Sequence, residues 1–377
     1  MSPRKNVLAA LLVLLAAGCA DDPTTIGEGE RSSSGWERLT DAPLSGRTSA
    51  TVVSIGERVF VAGGWEALCP PGADCGGPTE PPFADGAVLD VATKQWTRIA
   101  DAPFGFTHGS AAVLDGDIYV AANCVGSVKA CYDGSQLLRY DPEGDAWTEL
   151  GEMPEGFGAQ LVATDHGLVA LAGSEERGRP RDAVFDPGSS AWTVIPDDPL
   201  PRSYDRFGVA DGDRLLLFGS PMVEGAQEAQ DKLAAAYDWT SRTWSELPAA
   251  PAAGYQAWRA GDRVLLNPHF SSDGGGILDL ASDTWGPIPV EGSGWDGDAA
   301  GVVTADGATY EYDAGWVFDA RDDSWFEMPD RGGDTYDESV ASVGRSLVVF
   351  GGQRWSDDGG DLDGELLAET WVYEPPS

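Results

Sequence analysis

The densest run of possible ligands in the chain is Ser356 to Glu365, SDDGGDLDGE, where Asp357, Asp358, Asp361, Asp363 and Glu365 are interleaved with glycines. Hard carboxylate oxygens on a backbone able to bend are what a calcium ion takes, and calcium is the one metal this loop points to. The D-x-D-x-D-G opening of the helix–loop–helix calcium site is missing, so a solvated acidic loop is the competing reading. Four cysteines fall as two close pairs, Cys69 with Cys75 and Cys124 with Cys131, and an even count at short spacing suggests two local disulfides in an exported protein. Metal binding by these cysteines is the weaker reading, because no histidine lies near the first pair. The three histidines, His108, His166 and His269, stand in separate stretches and form no constellation with a nucleophile. No catalytic residue is assigned, and whether the chain is an enzyme stays open, with a binding role favoured.

Such residues need elements to position them, and the elements repeat. Tryptophan recurs at 36, 96, 147, 192, 244, 285 and 325, and the last six each follow shortly after an apolar run ending in Asp: VLDVATKQW, LLRYDPEGDAW, AVFDPGSSAW, AAYDWTSRTW, GILDLASDTW and WVFDARDDSW. A second run recurs as RVFVAGG, DIYVAAN, GLVALAGS, RLLLFGS, RVLLNPH, ATYEYD and SLVVFGG. Self-similarity at a period of roughly 50 residues signals stacked units that cannot bury both faces alone. Gly109 to Leu150 shows the unit: Ala111–Leu114, a tight Asp115-Gly116 turn, Ile118–Ala122, a long loop, a run ending at Tyr140-Asp141, and a fourth strand opened by Trp147. Asp-Gly between apolar runs predicts a two-residue hairpin. Each unit reads as a four-stranded antiparallel sheet, with the tryptophans packing one sheet on the next.

Phase predicts closure. Trp36 to Leu39 is a fourth strand lacking its first three, and Thr370 to Glu374 is a third strand lacking a fourth. The first should complete the last sheet and remove its open edge.

The glycine doublet or Gly-Ser pair after the second run (Gly63-Gly64, Gly173-Ser174, Gly219-Ser220, Gly351-Gly352), followed by an apolar residue before Asp and then Trp, resembles the kelch repeat. The resemblance covers residues 36 to 374 and implies an all-β, seven-bladed kelch-type β-propeller of the galactose oxidase-like central domain superfamily. Ala122-Asn123, Asn267-Pro268 and Glu311-Tyr312 depart from it, and distortion is expected there. The copper site of galactose oxidase needs two histidines, two tyrosines and a crosslinked cysteine, a cluster that cannot be assigned here, and the S-x-D-x-G-x-x-W box of sialidases is missing. Bacterial kelch sialate mutarotases are the best enzymatic comparison. The resemblance implies an acid/base pair in the channel, with Arg202, Asp205, Arg206 and Asp337 as candidates.

Met1 to Cys19, MSPRKNVLAALLVLLAAGC, has two early charges and an apolar core too short to span a bilayer, which is the form of an export signal over residues 1–18. Its Leu-Ala-Ala-Gly-Cys ending resembles a bacterial lipoprotein signal, which implies that Cys19 is lipidated and anchors the protein at the cell envelope or surface. Residues 19–35 then read as lipidated Cys and flexible tether, and 36–377 as a single propeller domain.

Sixty-two acidic against 24 basic residues give a net charge of −38, which disfavours nucleic acid as a partner. Loops after the second strands and before the first strands share one face and carry nearly all the elaboration, so that face is the expected docking surface for a protein or a glycan on a monomeric protein. Connections into the first strands place Arg47, Phe106, Phe157, Tyr204, Tyr255, Trp295 and Tyr336, with His108, at the channel mouth, either as ligand contacts or as packing. Glu224 to Lys232 reads as a short helix.

Overall fold

The computed structural model describes residues 35–377 except 71–72, 74–79, 128–133, 155–157, 177, 180, 225–230, 251–255, 267–275, 288–300, 304–307, 312–315, 320–322, 330, 332–334, 358–361 and 375–377. Among these residues there is no helix. Lys232 opens a strand, so the C-terminal end of the helix expected over Glu224–Lys232 is extended, and its middle lies outside the described residues. Strand pairing organises the described residues as seven four-stranded antiparallel sheets and one three-stranded sheet.

Sheet 1 runs Thr51–Ile55, Arg58–Ala62, Gly86–Asp90, Gln95–Arg98, and sheet 2 runs Thr107–Leu114, Asp117–Asn123, Gln136–Asp141, Ala146–Glu152. Sheet 3 is Gln160–Thr164, Gly167–Leu171, Ala183–Asp186, Ala191–Val194, and sheet 4 is Ser203–Asp211, Arg214–Pro221, Lys232–Asp238, Thr243–Ala250. Sheet 5 comprises Ala257–Ala260, Arg263–Leu266, Gly276–Asp279, Thr284–Pro287, and sheet 6 comprises Gly301–Val303, Ala308–Glu311, Trp316–Asp319, Ser324–Glu327. Sheet 7 takes Ser339–Val343, Ser346–Phe350 and Thr370–Tyr373, and its fourth strand is Trp36–Arg38 from the other end of the chain. Trp36 pairs with Tyr373 and Arg38 with Trp371, as the phase of the repeats predicts.

The hairpin expected at Asp115-Gly116 is present. Leu114 faces Asp117 directly, and both turn residues have positive φ (54° and 88°), as a two-residue turn between twisted strands demands. A second turn signature recurs two residues before the tryptophans, where Lys94, Asp145, Ser190, Arg242, Asp283 and Asp323 all have φ between 46° and 59°. The Asp that closes the third strand supports this turn from its side chain: the Asp141 carboxylate accepts from the Glu143 and Gly144 N–H groups, and Asp279 does the same for Ala281 and Ser282. The repeated Asp is therefore a turn device, not a ligand array.

First strands lie against one another in chain order from sheet 1 to sheet 7, and that of sheet 7 lies against that of sheet 1. They run parallel at close range: the Thr107 hydroxyl donates to Ser49 O, and Thr51 donates to Gly109 O. The apolar core sits between consecutive sheets. Val59, Val61 and Leu89 of sheet 1 meet Val348, Phe350 and Val372 of sheet 7, with Trp96 against them. Phe60 and Ala62 on the opposite side of sheet 1 meet Ile118, Val120 and Leu138 of sheet 2, with Trp147 against them. Alternation along each strand feeds the two interfaces in turn.

Four of these tryptophans also act through their indole N–H groups, whereas that of Trp96 is buried without a partner. Trp147 donates to Ala100 O at 2.8 Å, Trp244 to Pro196 O at 2.7 Å, Trp285 to Pro248 O at 2.9 Å and Trp36 to Pro329 O at 2.7 Å. Each acceptor lies four residues after the tryptophan of the preceding sheet, so one indole registers one sheet on its neighbour. This is the packing role assigned to the tryptophans from sequence.

Gly63 has φ +70, and a Cβ there would lie 2.5 Å from the Phe106 carbonyl oxygen. Gly63→Ala is expected to cost about 1–3 kcal/mol through combined strain and clash, read as a lowered thermal midpoint.

Candidate functional site

The ends of second strands, the starts of third strands and the starts of first strands bring two clusters to the loop-rich face. Both begin with a non-glycine residue in the left-handed region where a first strand starts: His108 (φ 51°), Asp205 (φ 47°) and Asp337 (φ 56°). In sheets 2 and 4 the pairing register slips at this point, between Thr107 and Ser110 and between Tyr204 and Phe207. The resulting bulge turns these side chains out of the alternation that governs the rest of the strand.

The first cluster joins sheets 7, 1 and 2. Gln353 bridges it, donating from Nε2 to the Asp337 carboxylate at 2.5 Å and accepting from the Cys69 N–H at 2.9 Å. His108 is exposed and meets the Trp65 ring edge-on at 5.0 Å. The surrounding rim withdraws water from the imidazole and lowers its pKa, with the Asp337 charge acting in the opposite direction. Asn123, which stands where the repeat has a glycine, donates from Nδ2 to His108 O and accepts from the Ser135 hydroxyl, both at 2.6 Å. The departure from the kelch pattern is thus a polar tie beneath His108, and it faces the register slip between Thr107 and Ser110.

The second cluster joins sheets 3 and 4 and is ionic. Arg206 is 5% exposed and donates to Asp182 (2.8 Å), to Asp198 (2.9 Å) and to the Ala172 carbonyl (3.0 Å). Burial opposes the Arg206 charge, but Asp182, Asp198 and Glu175 outweigh it and hold the guanidinium above its ordinary pKa. Beside it, buried Glu175 accepts from the Ser203 N–H at 2.8 Å, and the Arg202 guanidinium closes onto the carbonyls of Glu175 and Glu176. These ties commit both terminal nitrogens of Arg206 to the fold, while its Nε is buried without a hydrogen-bond partner.

Lys232 is fully buried, with its ammonium 2.6 Å from the Ser220 hydroxyl, 4.0 Å from the Asp205 carboxylate and 5.4 Å from the Phe207 ring centroid. Burial pushes its pKa down to about 8 against the upward pull of Asp205. A lysine with a depressed folded pKa binds fewer protons than the unfolded chain between about pH 8 and its ordinary value of 10.5, so its contribution to stability rises with pH across that window. Thermal melts of the wild type against Lys232→Met should show the wild type gaining ground from pH 8 to pH 10.5; a constant difference would contradict the depressed pKa.

The residues expected around the mouth separate into three groups. Arg47 and Phe106 are fully buried, Arg47 salt-bridged to Asp85 at 2.7 Å and stacked on Phe83, so both pack the structure and offer no ligand contact. His108, Arg202, Tyr204 and Tyr336 remain exposed on the face. Phe157, Tyr255 and Trp295 lie outside the described residues. Asp85 and Asp182, which receive Arg47 and Arg206, each immediately precede a third strand; aligning the repeats on Gly86 and Ala183 would have found that shared position.

The acidic segment pairs at its ends instead of forming an open loop: Gln353–Asp357 and Leu362–Leu366 form a hairpin in the three-stranded sheet with Thr335–Tyr336. The Glu365 carboxylate is taken by Arg354 at 2.7 Å, while Asp358 and Asp361 lie outside the described residues. No group of three or more metal-ligating side chains occurs among the described residues. Cys69 and Cys124 are each disulfide-bonded; Cys75, Cys131 and Cys19 lie outside the described residues.

Exposed large apolar side chains mark the same face. Among the described residues these are Leu68, Val194, Tyr204, Met222, Val223 and Tyr336, at 39% to 52% exposure, and all six sit at strand ends or in loops on the loop-rich side.

No family model matches the chain. It is similar to the Kelch-like protein terF of Aspergillus terreus, at 25% identity over 327 residues covering 75% of this chain and 66% of that protein. Human Kelch-like protein 21 is 23% identical across 76% of this chain and 52% of its own length, and beta-scruin of Limulus polyphemus is 28% identical across 36% and 15%. The chain therefore spans less than two thirds of each of these relatives. Among solved structures, that of YjhT aligns with a TM-score of 0.48 and 14% identity, over 87% of this chain and 99% of that one. The kelch-named relatives, together with the antiparallel four-stranded sheets, support a kelch-repeat β-propeller.

Proposed function

We propose that this kelch-type β-propeller has seven blades, is closed by Trp36–Arg38 in the last blade, and works as a non-catalytic binding module that docks a protein or glycan through its loop-rich face. One observation carries the reading: among the described residues the exposed large apolar side chains gather on that face, and none lies in the short turns of the opposite one. Its polar neighbours point the same way. Arg206 is buried in ion pairs with Asp182 and Asp198, and Arg202, though exposed, donates to backbone carbonyls, so both already serve the fold. In this reading Cys19 is lipidated and residues 20–35 tether the propeller to the envelope.

Two experiments test it. A photo-crosslinking residue placed at Tyr204 or Tyr336 should capture a partner in cells, and the same residue at Glu57 or Asp165 on the opposite turns should not; capture only from the turns would overturn the face assignment. Metabolic labelling with a fatty-acid probe should mark the wild type and leave Cys19→Ser unlabelled. Equal labelling of the two would remove the anchor.

A further inference from the structure

Sheet 4 extends above the loop face as a small ledge. Tyr204 is paired with Ser220 and Ser203 with Pro221, and the Met222 N–H continues the ladder to Arg202 O at 3.0 Å. The ladder gathers Tyr204, Met222 and Val223, exposed by 39%, 40% and 52%, on a single hairpin. Ser174 bridges to Tyr204 from sheet 3, which brings Glu176 to the near side, and Glu224 and Asp231 flank the far side, all three exposed. Arginines stand nearby and keep their positive charge, so the acidic excess that a partner meets comes from the whole chain, at −38, as well as from these three carboxylates. Arg202 closes on the Glu175 and Glu176 carbonyls, and Arg179 reaches Glu175 and the Asp198 carbonyl, while Arg181 is exposed at the outer margin.

Across the mouth the pattern recurs. Leu68 adjoins Cys69, whose N–H is held by Gln353, and Gln353 pairs with Tyr336, so exposed Leu68 and Tyr336 are both joined through Gln353, with exposed Glu66 and Asp337 next to them in the chain. An apolar surface rimmed by carboxylates on a chain of net charge −38 repels acidic partners and rewards a cationic one twice, by steering and by contact.

We infer that the loop face recognises a basic polypeptide segment in which Lys or Arg alternates with large apolar or aromatic side chains, the apolar groups seating on Tyr204, Met222 and Val223 and the cations meeting Glu176, Glu224 and Asp231. This rests on the loop-face reading above and specifies the chemistry of the partner. An alternating segment suits the ledge because an extended chain presents its two residue types on opposite sides, one toward the apolar hairpin and one free to reach the rim.

The test uses the purified full-length chain and three synthetic fifteen-residue probes, one alternating Lys/Arg with Leu/Phe, one with Glu in place of the basic residues, and one with Ser in place of the apolar residues, followed by fluorescence anisotropy. The basic apolar probe should bind at least ~10-fold more tightly than either control, corresponding to about 1.4 kcal/mol. Met222→Ser with Val223→Ser, or Tyr204→Ser, should weaken that binding ~10-fold. Glu176→Gln with Glu224→Gln should weaken it and flatten its salt dependence, while Glu57→Gln with Asp165→Asn and Asp262→Asn on the opposite turns should leave it unchanged. Equal loss from the opposite-face variant would reduce the effect to net charge and overturn the inference. Tight binding of the acidic probe, lost in Tyr204→Ser, would also overturn it while keeping the loop face as the docking surface; crosslinks that avoid Tyr204 and Tyr336 would remove the face itself.

Discussion

Replacing Arg206 by alanine is expected to cost about 3–5 kcal/mol of stability, because Asp182 and Asp198 would be left buried without their cation. Their side chains are 10% and 5% exposed, and the arginine side chain between them is 2% exposed. The cost lies in the uncompensated carboxylates rather than in lost attraction, and that separates the variants. Arg206→Met combined with Asp182→Asn and Asp198→Asn removes all three charges and should recover most of the loss. Melting temperatures of the single and triple variants decide the matter. A single variant that melts like wild type would show that water reaches the carboxylates. Because the Arg206 guanidinium donates to Ala172 O, the single change should also loosen the loop that carries Glu175 and Glu176, lowering hydrogen-exchange protection there before elsewhere.

A comparable loss is expected from Trp36→Ala. Trp36 is 6% exposed, packs its ring 5.3 Å from Tyr373, and donates its indole N–H to Pro329 O at the end of sheet 6. Truncating a buried tryptophan costs about 3–5 kcal/mol. Here one side chain holds the fourth strand of sheet 7 onto its own sheet and onto sheet 6, so the loss falls on the junction of the two chain ends. Deleting residues through Arg38 should do more, baring the edge of Thr370–Tyr373 and promoting concentration-dependent self-association. Size-exclusion chromatography over a range of concentrations reads the difference. A deletion variant that stays monomeric with an unchanged melting temperature would contradict any stabilising role for the first strand.

The resemblance to kelch repeats and the strand order were legible because both rest on local signals. Asp115-Gly116 turns a chain back by itself, and a Trp two residues after a left-handed turn residue marks a fourth strand wherever it occurs. Pairing of Trp36–Arg38 with Thr370–Tyr373 was readable too, since a strand missing at one end and a strand missing at the other leave one way to complete a sheet. The loop face was equally accessible, because loop length is a property of sequence.

Side-chain fate on that face was not. Arg47 and Arg202 look alike in sequence, yet one is fully buried against Asp85 and Phe83 and the other is exposed and tied to backbone carbonyls. The acidic run at Ser356–Glu365 gives no hint in sequence that Arg354 stands opposite Glu365 on a hairpin and pairs with its carboxylate. Leu68, Met222 and Val223 look like ordinary apolar residues and become a surface only because the ladder of sheet 4 and the Cys69–Gln353 contact hold them outward.

The sequence by itself determined the repeating unit, the position of each tryptophan and the identity of the elaborated face, since these follow from turn chemistry and alternation over a few residues. Tertiary structure decided which arginines are buried, which carboxylates remain open to a partner and which apolar side chains stand in solvent. Those outcomes depend on contacts between residues tens to hundreds of positions apart, and no local periodicity encodes the distance at which two such side chains meet.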